Sequence, residues 1–253
     1  MEPIFTKTAV YQSFRTTDVP DWMTRCLASV SSWAEMRDFA YHFYDDEFFN
    51  YAPARLRTAV GNQRHLVSDV ARLELAKELL NTYDRVIWID ADVYINNPAN
   101  FLSAFPPCKF LFCQEHWVHQ EGEKIIVSER VNNAVIVMER DNEFLDFYRY
   151  ACNQVINEWK QLSHSAFGTI FLTQIHKMLR QPLLLEVGMF SPLLLDAARQ
   201  NNRTFLDTHL KRKNVPINAA NLCLTFFNGN YDGRKLDDSA YVAAMDYLDT
   251  LHK

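Results

Sequence analysis

Val86-Ile87-Trp88-Ile89 is a nearly unbroken apolar run, bounded by Arg85 and Asp90. On an extended backbone successive side chains point to opposite faces, so a run of this kind must be covered on both. It suits a central strand of a sheet with helices on either side. The run ends in Asp90-Ala91-Asp92-Val93-Tyr94-Ile95, placing two carboxylates just past its carboxyl end. Ligands of open α/β sheets lie there, so Asp90 and Asp92 are the first candidates for a site. On extended backbone alternate residues face the same way, and the two carboxylates are expected to converge. A hard divalent cation, Mn²⁺ or Mg²⁺, relieves their repulsion while accepting oxygen ligands. Ala91 leaves room for a bulky ligand near the backbone. The plainer reading is a strand-end turn carrying two solvated acids.

The rest of the pattern extends the same architecture. Thr8 to Phe14 and Phe39 to Tyr44 read as strands, with a helix between them opened by Pro20 and striped by Trp22, Cys26, Val30 and Trp33. Ser68 is a candidate N-cap for a helix to about Leu80. Further strands are expected at Lys109 to Cys113, Ala134 to Met138 and Leu222 to Phe227, with helices at Asn142 to Trp159, Phe167 to Leu179 and Asp237 to Leu251. His164 and Ser165 could cap the second of these helices. Strands alternating with helices imply a mainly parallel central sheet with helices on both faces. No repeat or linker divides the chain, so residues 1–253 are read as one domain.

A net charge of −5 argues against a nucleic-acid surface, which needs a basic field. A small phosphate-bearing ligand stays open, because a metal supplies the missing positive charge. Five cysteines without a CxxC pair fit reduced thiols better than a disulfide framework. With no leader-like start and no apolar run of membrane-span length, the expected location is cytoplasmic.

Upstream of the acids, His65-Leu66-Val67-Ser68-Asp69-Val70-Ala71-Arg72 puts Asp69 and Arg72 three residues apart on one helix face. An i,i+3 ion pair beside a capping serine accounts for them without any function. Yet Ser68-Asp69-Val70-Ala71-Arg72, a helix, and a hydrophobic strand into Asp90-Ala91-Asp92 together resemble the sugar-binding region of DXD-containing GT-A glycosyltransferases. That group includes yeast initiation-type mannosyltransferases, bacterial capsular sugar transferases and, distantly, clostridial glucosylating toxins. Val131-Asn132-Asn133-Ala134 resembles the Asn-bearing strand of the group, and Phe167-Gly168-Thr169 to Thr173 its next helix start.

The resemblance implies a metal-dependent transfer of a sugar from a nucleoside diphosphate donor (UDP- or GDP-linked) to a hydroxyl of a glycan or other acceptor, mostly with retention. It implies Asp92 as a direct metal ligand and Asp90 on the metal or ribose. Asp69, Arg72 and Asn133 would serve the donor sugar, and Gln12 and Ser13 would lie by the base. Asn228, after the last expected strand, would close the metal site, although Asn228-Gly229 is first of all a turn signal. Gln114-Glu115-His116-Trp117 follows an expected strand, where Glu115 could be a general base but a solvated loop is the plainer account. Two rivals remain: a haloacid-dehalogenase-type phosphatase, whose nucleophile strand also runs into Asp-x-Asp, and a non-catalytic nucleotide-sugar-binding protein of the same fold.

Overall fold

The computed structural model describes residues 6–60, 63–158, 162, 165–210 and 215–252. Its centre is the apolar run singled out by the sequence. That run forms β3 (Arg85–Ile89), third of six strands, between β1 (Thr8–Ser13) and β6 (Lys124–Glu139). Outside β1 lies β2 (Ala40–Tyr44); beyond β6 lie β5 (Phe110–Glu121) and the short β7 (Leu183–Leu184), giving the order β2-β1-β3-β6-β5-β7. β1 pairs in parallel with both β2 and β3, and β7 in parallel with β5. β6 is antiparallel to both β3 and β5, so the sheet is mixed.

Period-two alternation divides the core as expected for a doubly covered sheet. Ala9, Tyr11, Val86, Trp88, Ile136 and Met138 face one cluster. Val10, Ile87, Ile89, Val135 and Val137 face another. The first face is closed by α3 (Arg64–Leu79), α4 (Glu143–Glu158) and α5 (Thr169–Leu179), through Val70, Leu73, Leu145, Tyr148 and Leu172. The second is closed by Val30, Trp33 and Ala34 of α1 (Asp21–Met36), with Phe101 and Leu102. A third cluster joins the start of α1 to α6 (Pro192–Arg199) and α8 (Asp238–Leu248), where Trp22 stacks on Tyr241 with centroids 4.2 Å apart. Between α1 and that cluster runs a second sheet. In it β4 (Val93–Ile95) is antiparallel to β9 (Ala219–Asn221), which is parallel to β8 (Val187–Met189).

Several expectations shift. α3 starts four residues before Ser68, so Ser68 lies inside the helix and its hydroxyl accepts from Arg72 Nη2 (3.1 Å) rather than capping. Leu222 to Phe227 is not a strand: the strand ends at Asn221, and Leu224–Phe226 is a 3-10 turn entered through Cys223 at φ 54°. β5 and β6 are much longer than their apolar centres, because the half-buried stretches after Cys113 and before Ala134 pair as a hairpin through Glu121↔Lys124. Helix α5 begins at Thr169 with Gly168 at the N-cap position. Trp159 and His164 lie outside the described residues. No described helix is long and apolar enough to cross a membrane.

Because Ile87 is fully buried on the central strand, Ile87→Ala should lower the unfolding free energy by about 2–5 kcal/mol. Urea denaturation with an unchanged m-value would report it. A loss well below 1 kcal/mol would contradict this placement of β3.

Candidate active site

The backbone leaves β3 through a tight turn rather than continuing extended: the Val93 N–H donates to the Asp90 carbonyl (3.1 Å). Asp90 and Asp92 nonetheless line one cavity of about 280 Å³, shared with Glu115, Asn132, Asn221 and Cys223. The convergence comes from the turn and from the packing of β4 against β9, not from strand alternation. Ala91, between the two acids, points the other way and is buried in the cluster around Trp22.

Each acid is held by a different part of the chain. Asp90 Oδ1 accepts from Trp88 Nε1 (2.6 Å) and lies 3.1 Å from Arg72 Nη1. Its carbonyl accepts from Gln12 Nε2 (3.2 Å). Asp92 Oδ1 accepts from Asn221 Nδ2 (3.0 Å) and Oδ2 from the Leu224 N–H (2.7 Å). The Asp92 carbonyl accepts from the Leu222 N–H (2.9 Å). The left-handed Cys223 is what turns the chain so that the Leu224 amide reaches the Asp92 carboxylate. Burial raises the pKa of the Asp90 carboxyl, opposed by Arg72 and reinforced by Asp92. Burial also raises that of Asp92, opposed first by the Leu224 N–H. The Cys223 thiol is pushed up by burial and then by Asp92, Glu115 and Asp90, a sign of how much negative charge surrounds it.

Behind Asp90 sits a buried polar network. Arg72 is 5% exposed, and its guanidinium has a partner on every nitrogen. Nε donates to the Ser68 carbonyl and Nη1 to the Asn133 carbonyl (2.9 Å), while Nη2 lies 3.3 Å from Asp69 Oδ1. The guanidinium also lies over the Trp88 ring, 4.7 Å from its centroid. Asn133 Nδ2 donates to Asp69 Oδ1 (2.8 Å). Gly168 closes the network so tightly that a Cβ there would meet Asn133 Oδ1 at 3.1 Å and Asp69 Oδ2 at 3.3 Å.

The structure thus brings Asp69, Arg72, Asn133 and Asp90 into one assembly, but of these only Asp90 lines the cavity. Gln12 is fully buried, with its Oε1 accepting from Tyr41 Oη (3.0 Å), and so braces the turn. Ser13 donates to the Asp45 carbonyl at the same sheet edge. Asn228 does not line the cavity; it is exposed at φ 58°, and its N–H donates to the Leu236 carbonyl. It is a turn residue, as Asn-Gly signals. The cavity position at the end of β9 belongs to Asn221.

Glu115 is the residue the sequence reading undervalued. It sits within β5, not on a loop, is 3% exposed, and lines the cavity. Its Oε2 accepts from Asn132 Nδ2 (2.7 Å), and Arg130 Nη1 lies 3.7 Å from Oε1. The polar alternation of Gln114-Glu115-His116-Trp117 against the residues before Asn132 was the available signal.

No family model matches the sequence, and no curated protein matches it. Among solved structures, the galactosyltransferase LgtC in complex with donor and acceptor sugar analogues superposes with a TM-score of 0.51 at 12% identity, covering 97% of this chain and 95% of that one. The apo glycosyltransferase GlyE of Streptococcus pneumoniae gives 0.51 at 10% identity, covering 96% of this chain and 60% of that one. The chain has the GT-A glycosyltransferase fold.

Arg72 stands between two carboxylates and is itself buried, so it is structural as well as adjacent to the site. Arg72→Met should cost about 3–5 kcal/mol, the range for leaving buried charges unpaired. Arg72→Lys should recover only part of this, since an ammonium cannot replace the planar fork. In the Asp90→Asn background the cost of Arg72→Met should shrink, as chemical denaturation of the double-mutant cycle would show. Full additivity would contradict the coupling.

Proposed function

We propose that this chain is a metal-dependent glycosyltransferase that moves a sugar from a nucleoside diphosphate donor to an acceptor hydroxyl, with retention. The observation that carries the reading is the convergence of Asp90 and Asp92 on one cleft, within a fold of this class.

The residues fit a divalent cation of the open kind. Asp92 spends one hydrogen bond on each oxygen, leaving a lone pair on each, and the described bonds of Asp90 fall on Oδ1. Among the described residues no three His, Cys, Asp or Glu side chains form a cage of their own. One or two carboxylates suit Mg²⁺ or Mn²⁺ that draws its other ligands from phosphates and water. Such a cation neutralises charge building on the leaving diphosphate, the electrostatic assistance this chemistry needs.

The protein's own part is positioning. Asn221 and the Leu224 amide fix Asp92, while Arg72 and Trp88 fix Asp90. Asp69 and Asn133 set Arg72 from behind, which makes them supports of the donor site in this structure. Glu115 and Asn132, on the opposite wall, present a carboxylate and an amide to sugar hydroxyls. Retention, and a UDP- or GDP-linked donor, rest on the resemblance of the Ser68–Arg72 and Asp90–Asp92 segments to the DXD group. The phosphatase reading loses ground because Asp90 is committed to Trp88 and Arg72. In addition, Asp237-Asp238 opens α8, with Asp237 bonded to Ser239 and Lys235. A binding protein without turnover is separated from an enzyme by donor hydrolysis.

Metal and nucleotide should bind cooperatively, each raising the other's affinity by the same factor. Asp92→Asn should remove that coupling in calorimetric titrations of UDP and GDP with and without Mn²⁺. It should also cost about 1–3 kcal/mol of stability, because the amide nitrogen that replaces one oxygen cannot accept, which leaves either Asn221 or the Leu224 N–H without its partner. Near-UV circular dichroism would verify the fold. Equal nucleotide binding and donor turnover in EDTA would contradict the proposal.

A further inference from the structure

We infer that the acceptor is a saccharide of at least two rings, seated on an aromatic strip that leads from the cleft into a second cavity. This rests on the glycosyltransferase reading and extends it to the acceptor's chemical class.

Trp117 and Phe226 both line the cleft, with ring centroids 5.9 Å apart and planes inclined by 36°, and the Arg130 guanidinium lies 5.9 Å from the Trp117 centroid. Phe226 meets Tyr231 edge-on at 5.1 Å and 74°. Tyr231 is 43% exposed, so its ring is open to a ligand. Trp117 also lines a second, smaller cavity of about 90 Å³, together with Tyr231, Gln120, Asp232 and Arg234. The strip therefore connects two cavities through a shared tryptophan.

The hairpin that carries Tyr231 is built to hold it. β10 (Gly229–Tyr231) and β11 (Arg234–Leu236) pair antiparallel across Asp232-Gly233, both at positive φ, the conformation of a two-residue type I′ turn. Arg234 is fixed in place: Nη2 donates to Gln120 Oε1 (3.1 Å), and Nε lies 3.6 Å from Asp196 Oδ2. The second cavity thus offers a positioned guanidinium, an amide, and the exposed Asp232 carboxylate beside an aromatic face.

That combination matches a pyranose. One face of the ring is a patch of C–H bonds that rests on the negative face of an aromatic, while the rim of hydroxyls both donates and accepts. Successive centroids 5–6 Å apart give each sugar ring its own aromatic partner. A nucleobase is the competing occupant, but it favours a slot with parallel walls, and neither neighbouring pair of these rings is parallel, at 36° and 74°. The alternation of acidic and basic partners in the second cavity likewise suits neutral hydroxyls better than a charged tail.

The test uses the labelled full chain, saturated with UDP and Mn²⁺, on an array of immobilised saccharides of one to four rings. Calorimetry of UDP with Mn²⁺ runs alongside on the same proteins. Binding should be confined to saccharides of two or more rings. Tyr231→Ala should weaken it about five- to tenfold, as loss of one stacked partner predicts, and Tyr231→Phe should retain it. Thermal unfolding should be unchanged in both variants. Binding of single rings as tightly as longer chains, no saccharide bound while UDP binds, or full affinity in Tyr231→Ala would each overturn the inference alone. Weakened UDP binding in Tyr231→Ala would assign the strip to the base and also overturn it. Failure of the wild type to bind UDP and, in the same titration, GDP would remove the transferase reading beneath it.

Discussion

The guanidinium of Arg72 is buried between two carboxylates, and much of the site is arranged around it. A buried cation is expensive unless its donors are satisfied and its charge is matched. Here the Ser68 and Asn133 carbonyls, Asp69 and Asp90 supply both. The contacts tie α3, β3 and β6 at one point, so the residue that positions Asp90 also locks helix to sheet. Gly168 and Asn133 complete the enclosure, and Tyr148 Oη bonds the neighbouring Phe167 carbonyl from α4. Asp90 is consequently an acid with one oxygen committed inward and the carboxylate partly open to the cleft, 25% exposed.

Asp92 is governed by a separate constraint. The turn after β3 delivers it to the small β4-β9-β8 sheet, where Asn221 and the amide of Leu224 grip its two oxygens. The two acids are thus anchored to different halves of the chain, one to the N-terminal parallel strands and one to the segment around residue 221. The cleft between them is bounded by the hairpin of β5 and β6, which contributes Glu115, Trp117, Arg130 and Asn132.

Legibility in the sequence followed the physics of each signal. β3, α1, α3 and the Asp90-Ala91-Asp92 element could be read because their apolar periodicity is unbroken and their chemistry is local. The Asp69–Arg72 pairing was visible as an i,i+3 spacing, but not that it would be buried, since burial depends on Trp88, Asn133 and Gly168 arriving from elsewhere. The hairpin beyond Cys113 was missed because its residues are half polar, and a strand facing a cleft does not alternate cleanly. Asp232-Gly233 was a hairpin signal that went unused. Asn221 was hidden because Leu222 to Phe227 looks like a strand by composition, whereas Cys223 at positive φ breaks it. Asn228 fell out of the site for the same reason: the expected strand end, Phe227, lay six residues beyond the observed one, Asn221.

The central claim is that Asp90 and Asp92 together present a site for a divalent cation carried with a nucleoside diphosphate. A crystal grown with UDP and Mn²⁺, with diffraction collected at the manganese absorption edge, tests it most directly. The account predicts an anomalous peak in the cleft, in contact with the Asp92 carboxylate and with both UDP phosphates. Manganese bound elsewhere, or nucleotide ordered in the cleft with no metal beside Asp92, would contradict it.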